Sequence, residues 1–324
     1  EFWSADQITN EFGPNGLTTY VHEIGRISDD TQMTLFTAEG LLRAQVRAAS
    51  KGVCHPPTVV QHAYIRWLDT QGERSESPFF RPDEFDGLLF EVPELRVRRA
   101  PGNTCLSALR SGEAGTMERP INNSKGCGTV MRTAPVGLSG VNDPFQTGCE
   151  IGALTHGHPS GYLSAGFLSS VIRLLVWEES ALPVAVESSL EELSENSESR
   201  ECLGAIQKAV TLAAEGQPDS SKVASLGQGW IAEEALSIAL YCALAAETFA
   251  EGVLLAVNHG GDSDSTGAIA GNLLGAIHGY NAIPSDWVLR LELANLIDEV
   301  ALDLYGASLE DFNAEEMWNR YPGW

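Results

Sequence analysis

Apolar residues recur at the three- and four-residue spacing of an α-helix along almost the whole chain, and this period constrains the fold more than any other feature. In residues 31–50 it places Leu35, Ala38, Leu42 and Val46 on one face, and in 58–69 it does the same with Val59, Ala63 and Trp67. The stretches 161–178, 229–257, 265–279 and 286–304 are dense in Leu, Val, Ile and Ala. Runs that alternate apolar and polar residues, as a half-buried strand requires, are nearly absent. The expected fold class is all-α. Residues 71–101, rich in Gly, Pro, Arg and Glu, read as a long connection. Residues 181–200, polar and rich in Ser and Glu, read as a surface loop or a solvated helix. With no clean linker and no internal repeat, residues 1–324 are expected to form a single domain.

The 324 residues are 43% hydrophobic, enough for a large core, and carry a formal net charge of −24. Such a surface repels nucleic-acid phosphates and anionic headgroups, so neither nucleic acid nor membrane is an expected partner. No stretch approaches the roughly 18 uninterrupted apolar residues of a membrane span. The six cysteines, Cys54, Cys105, Cys127, Cys149, Cys202 and Cys242, form no CxxC pair and no zinc-finger spacing. They read as reduced thiols in or near the core, which suits a cytoplasmic protein. The chain opens on Glu1 rather than Met and shows no signal peptide, so a segment upstream is expected to have been removed.

Two acidic turns carry the chemistry. The first is Ile27-Ser28-Asp29-Asp30-Thr31-Gln32, just ahead of an amphipathic helix. One reading makes Asp29 the N-cap, Gln32 its capping-box partner and Asp30 a charge favoured by the helix dipole. The other is a hard-cation site, because a Ser-Asp-Asp turn supplies a hydroxyl and two carboxylates, the oxygen ligands magnesium takes. The second turn is Asn258-His259-Gly260-Gly261-Asp262-Ser263-Asp264-Ser265-Thr266-Gly267. Its glycines permit a sharp bend and close approach to a ligand. Behind it, Gly267, Ala268, Ala270, Gly271, Gly275 and Ala276 are small enough for helices to pack tightly around the site. The plain alternative is an exposed Asp/Ser/Gly loop. A further reading takes Asp262-Ser263-Asp264-Ser265-Thr266 as the DxDxT nucleophile motif of haloacid-dehalogenase-type phosphatases, with the apolar run 253–257 as its strand. Residues 258–261 intervene, and the strand–helix alternation of a doubly wound sheet is missing.

Both turns together, the second with Gly260-Gly261-Asp262-Ser263-Asp264-Ser265-Thr266-Gly267-Ala268-Ile269-Ala270-Gly271, resemble the ADP-ribosylglycohydrolase family, which includes the dinitrogenase-reductase-activating glycohydrolases. Other landmarks agree in order: Arg99-Ala100-Pro101-Gly102-Asn103-Thr104 resembles a substrate loop of bacterial members. Asn123-Ser124-Lys125-Gly126-Cys127-Gly128-Thr129-Val130-Met131-Arg132 resembles the Gly-rich loop, Thr155-His156-Gly157-His158 the Thr-His motif, and 229–236 a helix start. The family's opening GDAxG helix is absent, so it is expected upstream. Glu1 falls where a glutamate follows that helix, and Cys127 stands where Asn is frequent.

The resemblance implies a single compact orthogonal multi-helix bundle of the family's type. It implies two Mg2+ ions, with Mn2+ as an alternative: one held by Ser28, Asp29, Asp30 and Asp264, the other by Asp262, Asp264 and Ser265 with a share of Asp29 or Asp30. The implied reaction is hydrolysis of the bond from C1 of the distal ribose to a protein side chain through an oxocarbenium-like transition state, with arginine the acceptor usual among bacterial members and serine or a small ADP-ribose ester as variants. Glu1, Asp262 and Asp30 are the catalytic candidates. Ser124, Gly126 and Gly128 would donate to the diphosphate, Gly102 would allow close approach, and Cys127 would alter one ribose or phosphate contact. His156 would sit beside the diphosphate or ribose, unless it is a satisfied core histidine. His259 and His278 keep a structural reading. Trp230, Glu233 and Glu234 read as the start of a core helix outside the site. The implied partner is an ADP-ribosylated protein or ADP-ribose, met by a monomer. A non-catalytic ADP-ribose-binding relative or a toxin-immunity protein is the alternative class.

Overall fold

The first helix, α1 (Ala5–Phe12), opens on Ser4, which accepts from the Gln7 N–H while the Gln7 side chain accepts from the Ser4 N–H. The longest, α2 (Asp29–Lys51), stops where Gly52 takes a left-handed φ of 77° and returns its N–H to the Ala48 carbonyl. Then follow α3 (Pro56–Thr70), α4 (Asn103–Ser111), α5 (Ala134–Leu138), α6 (Pro144–Ala153) and α7 (Pro159–Trp177). The second half holds α8 (Leu182–Ser194), α9 (Arg200–Ala214), α10 (Ser220–Leu226), α11 (Ala232–Ala245), α12 (Phe249–Val257) and α13 (Ser263–His278), with α14 (Ser285–Arg290), α15 (Ala294–Ala307) and α16 (Ala314–Met317) closing the chain. Proline leads α3, α6 and α7, where its missing N–H costs nothing. The computed structural model describes residues 2–309 and 312–323. Among them there is no strand, only two isolated bridges, Gly25 with Leu291 and Gly126 with Ile231.

Residues 71–101 do form a connection, broken only by short 3-10 turns at Pro82–Glu84 and Pro93–Arg96. Residues 181–200 resolve into α8, whose Leu182, Ala185, Val186 and Leu193 are buried, so the polar sequence hides an amphipathic helix. The run 253–257 lies in the second half of α12, not in a strand, which removes the buried strand that a DxDxT phosphatase would need. One helix, α7, is long and apolar enough to cross a membrane by composition, yet 78% of its apolar window is buried inside the protein.

Two apolar clusters form. One gathers Phe167, Leu168, Leu236, Leu240 and Leu273 from α7, α11 and α13. The other gathers Phe36, Leu41, Tyr64, Trp67, Leu106 and Val300 from α2, α3, α4 and α15. Each such side chain, fully buried, contributes about 1.5–3 kcal/mol. The segment after the Gly-rich loop threads between them: Val130 and Ala134 enter the first cluster, Met131 and Val136 the second. Both clusters thereby hold the Gly-rich loop in place. The small residues of α13 divide: Ala270 is buried and a side chain at Gly267 would meet Val257 at 2.6 Å, but nothing lies within 4 Å of a side chain built at Gly271 or Gly275. Tight packing explains the first pair and not the second.

Candidate metal centre and its cleft

Ser28, not Asp29, occupies the N-cap of α2, and no side chain caps that helix. Gln32 is turned away, donating to the Val97 carbonyl at 2.8 Å and accepting from Trp67 Nε1 at 3.2 Å. The capping-box reading is therefore overturned. Asp29 and Asp30 are instead the first two residues of α2, both buried, 5% and 3% exposed. The turn is braced from afar. Glu292 accepts from the Ile27 N–H at 3.0 Å and from Arg99 Nη2 at 2.8 Å, and the Arg99 carbonyl accepts the Asp29 N–H at 3.2 Å. Nothing in the sequence pointed to Glu292. Its replacement by alanine is expected to cost about 1–3 kcal/mol and to weaken any divalent-cation binding at the cluster about tenfold, read by thermal denaturation and by titration calorimetry. Unchanged divalent-cation affinity would detach this brace from the site.

The second turn is shaped by Gly261, whose φ of 144° suits glycine alone. The Asp262 N–H that follows donates to the Gln228 carbonyl at 2.8 Å. Thr266, fully buried, donates to the Ala256 carbonyl at 2.7 Å and pairs with His259 Nε2 at 2.9 Å. His259 thus props the turn from behind, as its structural reading required. Asp262 and Asp264 stand at the start of α13.

The two turns, far apart in sequence, meet. Asp29, Asp30 and Asp264 each bring a carboxylate oxygen within 4.8 Å of the other two. Asp262 lies alongside, its Oδ2 at 2.7 Å from the Cys127 thiol, and Ser265 Oγ lies 3.6 Å from the same sulfur. Ser28 Oγ donates to Asp30 Oδ2 at 3.2 Å, while the buried Asp30 Oδ1 has no hydrogen-bond partner. Burial, then the charge of Asp264, pushes the Asp29 carboxyl up to about 7, although the Gly102 N–H partly offsets this. Burial also pushes Asp262 up to about 7, and its contact with Asp264 adds to the rise. Asp30 goes well above the ordinary carboxylate range, by burial and then by Asp264, Asp29 and Asp262. A converging, self-repelling carboxylate set with an orphaned buried oxygen is what a hard divalent cation relieves. These residues fit such an ion.

A cleft of about 530 Å³ opens over the cluster. Gly102, Gly126, Cys127, Gly128, His156 and Ser265 line it with Asp29, Asp30, Asp262 and Asp264. Ser124 stands just behind the wall, where its hydroxyl pairs with Thr104 Oγ1 at 3.1 Å and accepts from the Gly126 N–H at 3.3 Å. Its hydroxyl is thus already engaged within the protein. Gly128 has a packing reason beyond ligand approach: a side chain there would stand 2.8 Å from Cys105 Sγ and 3.1 Å from the His156 ring. Glu1 lies outside the described residues.

Trp230 also lines the cleft and stacks on Phe2 at 5.6 Å between ring centroids. The sequence reading placed Trp230 outside the site; only Glu233 and Glu234 match it, in the first turn of α11. The signal was a large aromatic following Gly229, held outside the helix whose N-cap is Ile231. Its carbonyl accepts the Cys127 N–H at 3.2 Å, joining the Trp230 segment to the Gly-rich loop.

A family model described as ADP-ribosylglycohydrolase matches residues 1–313. An ADP-ribosylarginine hydrolase from Serratia proteamaculans is 24% identical over 300 residues, covering 89% of this chain and 69% of its own length. ADP-ribosyl-(dinitrogen reductase) glycohydrolase from Rhodospirillum rubrum is 24% identical over 302 residues, covering 90% and 84%. A solved structure described as an ADP-ribosylglycohydrolase-related protein complex matches with a TM-score of 0.60 at 25% identity, covering 87% of this chain and 82% of that one.

Proposed function

The chain belongs to the ADP-ribosylglycohydrolase family, and from that premise we propose that it is a metal-dependent hydrolase that frees ADP-ribose from modified arginine side chains. The observation that carries the reading is the meeting of Asp29, Asp30 and Asp264 on the floor of the cleft. Two divalent ions bound there, Mg2+ or Mn2+, would grip the distal ribose hydroxyls and offset charge as the C1–acceptor bond loosens. Ser28, Asp29, Asp30 and Asp264 would hold one ion, and Asp262, Asp264 and Ser265 the other. As the C1–N bond breaks, the attacking water would add to C1 and give its proton to a cluster carboxylate, Asp262 or Asp30; the cationic guanidinium of the substrate departs as neutral guanidine and takes that proton up from the carboxylate. Gly102, Gly126 and Gly128 leave room for the diphosphate to approach backbone N–H groups along the cleft wall. Two features favour arginine as the acceptor. The Serratia proteamaculans relative carries that name, and the stacked Phe2–Trp230 pair offers an aromatic face to a planar guanidinium.

The test incubates the protein with arginine- and serine-ADP-ribosylated proteins, with Mg2+, with Mn2+ and with chelator. Metal-dependent release of ADP-ribose from arginine is expected. Release that ignores chelator would remove the ions from the reaction, and release from serine alone would move the acceptor. Binding of ADP-ribose without any release would favour the non-catalytic relative.

A further inference from the structure

We propose that Arg132 is a positioning residue which, through the Thr155 hydroxyl, locks His156 as its neutral Nε2–H tautomer and so presents a hydrogen-bond donor, not an acid or base, to an oxygen of the substrate. The inference rests on the reading of the cleft as an ADP-ribose site. Arg132 is fully buried, and no carboxylate lies within ion-pair distance of it among the described residues. A buried guanidinium without a counter-charge is costly, so what it touches matters. It stacks on the Tyr64 ring at 4.4 Å, and its Nη2 donates to the Ile151 carbonyl at 3.3 Å and to Thr155 Oγ1 at 2.7 Å.

The proton positions follow from donor and acceptor capacity. Guanidinium only donates, so Thr155 Oγ1 accepts from Arg132. Thr155 Oγ1 lies 2.8 Å from His156 Nδ1, and among the described residues its hydroxyl proton has no other acceptor. The hydroxyl therefore donates to Nδ1, which must be the unprotonated ring nitrogen, and the ring proton sits on Nε2. Nε2 has no partner in the protein among the described residues. It faces the Gly-rich wall, where methyl groups built on Gly126 and Gly128 would stand 3.2 and 3.3 Å away. His156 lines the cleft there, so the donor is left for a phosphate or ribose oxygen of the ligand. The turn is fixed independently: Asn122 donates to the Thr155 carbonyl at 2.8 Å and accepts from the Gly157 N–H at 3.0 Å. Burial, then the Arg132 charge, lowers the His156 pKa to about 3, which keeps the ring neutral. With Arg132 donating to Thr155 Oγ1, the threonine proton is left to Nδ1.

The test is long-range 1H–15N correlation on the full chain labelled at histidine, with the His156 signals assigned through His156→Gln. A pyridine-type Nδ1 and a pyrrole-type Nε2 are expected from pH 5 to 8. Thr155→Val, nearly isosteric, should leave the tautomer mixed and raise the Kd for free ADP-ribose about tenfold, and Thr155→Ser should restore both. A wild-type spectrum with the proton on Nδ1 overturns the proposal, whatever the variants do. So does a Thr155→Val protein with unchanged tautomer and affinity. Failure of the wild type to bind ADP-ribose at all, with Nε2 protonated as expected, instead overturns the reading of the cleft on which the donor's role depends.

Discussion

Asp30→Asn is expected to raise the melting temperature of the metal-free protein at pH 8 and to remove most of the stabilisation expected from added Mg2+. The two effects have one cause. Asp30 is 3% exposed, its Oδ1 has no partner, and it faces Asp29, Asp262 and Asp264. Its ionised form is costly in the folded chain and cheap in the unfolded one. For the two neighbours with a stated position, the carboxyl rises from 3.8 to about 7. A raised folded pKa means that the folded state holds protons which the unfolded state has released. Stability is then complete below about pH 4, falls as pH rises, and reaches its floor above about pH 7. Each such group costs at most about 4 kcal/mol at the floor, and the coupled set costs less than the sum. Asparagine removes one charge and relieves the others, so a gain of about 1–3 kcal/mol and a few degrees is expected at pH 8. It also removes an anionic ligand. The wild type should gain about 2.7 kcal/mol at an ion concentration a hundredfold above Kd, and the variant far less.

Thermal denaturation between pH 5 and 8.5, with Mg2+ and with chelator, reads both effects. Asp298→Asn, at an exposed position of α15, controls for the loss of one unit from a chain of net charge −24. A metal-free Asp30→Asn protein less stable than wild type at pH 8 would show that Asp30 serves the helix dipole instead.

The all-α class was legible because period, composition and length agree over long stretches such as 29–51 and 159–177. Breaks inside apolar runs were harder. The run 229–257 is cut between α11 and α12, where the Thr248 side chain accepts from the Glu251 N–H. That Thr-x-x-Glu signal was present, but continuous hydrophobicity masked it. The cut at Leu293, which takes a left-handed φ of 59°, left no trace in composition. At the site, the family motifs supplied the acidic turns, the Gly-rich loop and His156. They were silent on groups that act through others. Glu292 belongs to the far end of the chain, and Arg132, though quoted within the Gly-rich motif, read as its last letter. Only packing shows that it donates to Thr155. Trp230 was misjudged because a residue just ahead of a helix looks like part of the cap. Convergence itself cannot be read from spacing, since a separation in sequence says nothing of distance in space.

Gly261→Ala, a single methyl, is expected to cost about 3 kcal/mol or more and to lower hydrolysis roughly a hundredfold, whereas Gly271→Ala and Gly275→Ala, a few turns along in sequence, should stabilise. At Gly261 the backbone φ is 144°, which an L side chain rarely adopts, and the new methyl would stand 2.1 Å from the Gln228 carbonyl oxygen. That same oxygen accepts the Asp262 N–H at 2.8 Å, so it cannot yield without releasing Asp262. It is also backbone, close to Gly229 and Trp230, so the displacement would reach both the carboxylate cluster and the aromatic wall. A misplacement of about 1 Å at reacting groups costs on the order of a hundredfold in rate. Gly271 and Gly275 lie within α13 with open space where a methyl would go. There alanine only restrains the unfolded chain and favours the helix, by about 0.5–1 kcal/mol each. Chemical denaturation of the three variants, with Mg2+ affinity measured alongside, separates the positions. A Gly261→Ala protein as stable as wild type and binding Mg2+ normally would mean that the second acidic turn does not depend on its contact with Gln228, and the account of how Asp262 is held would fail.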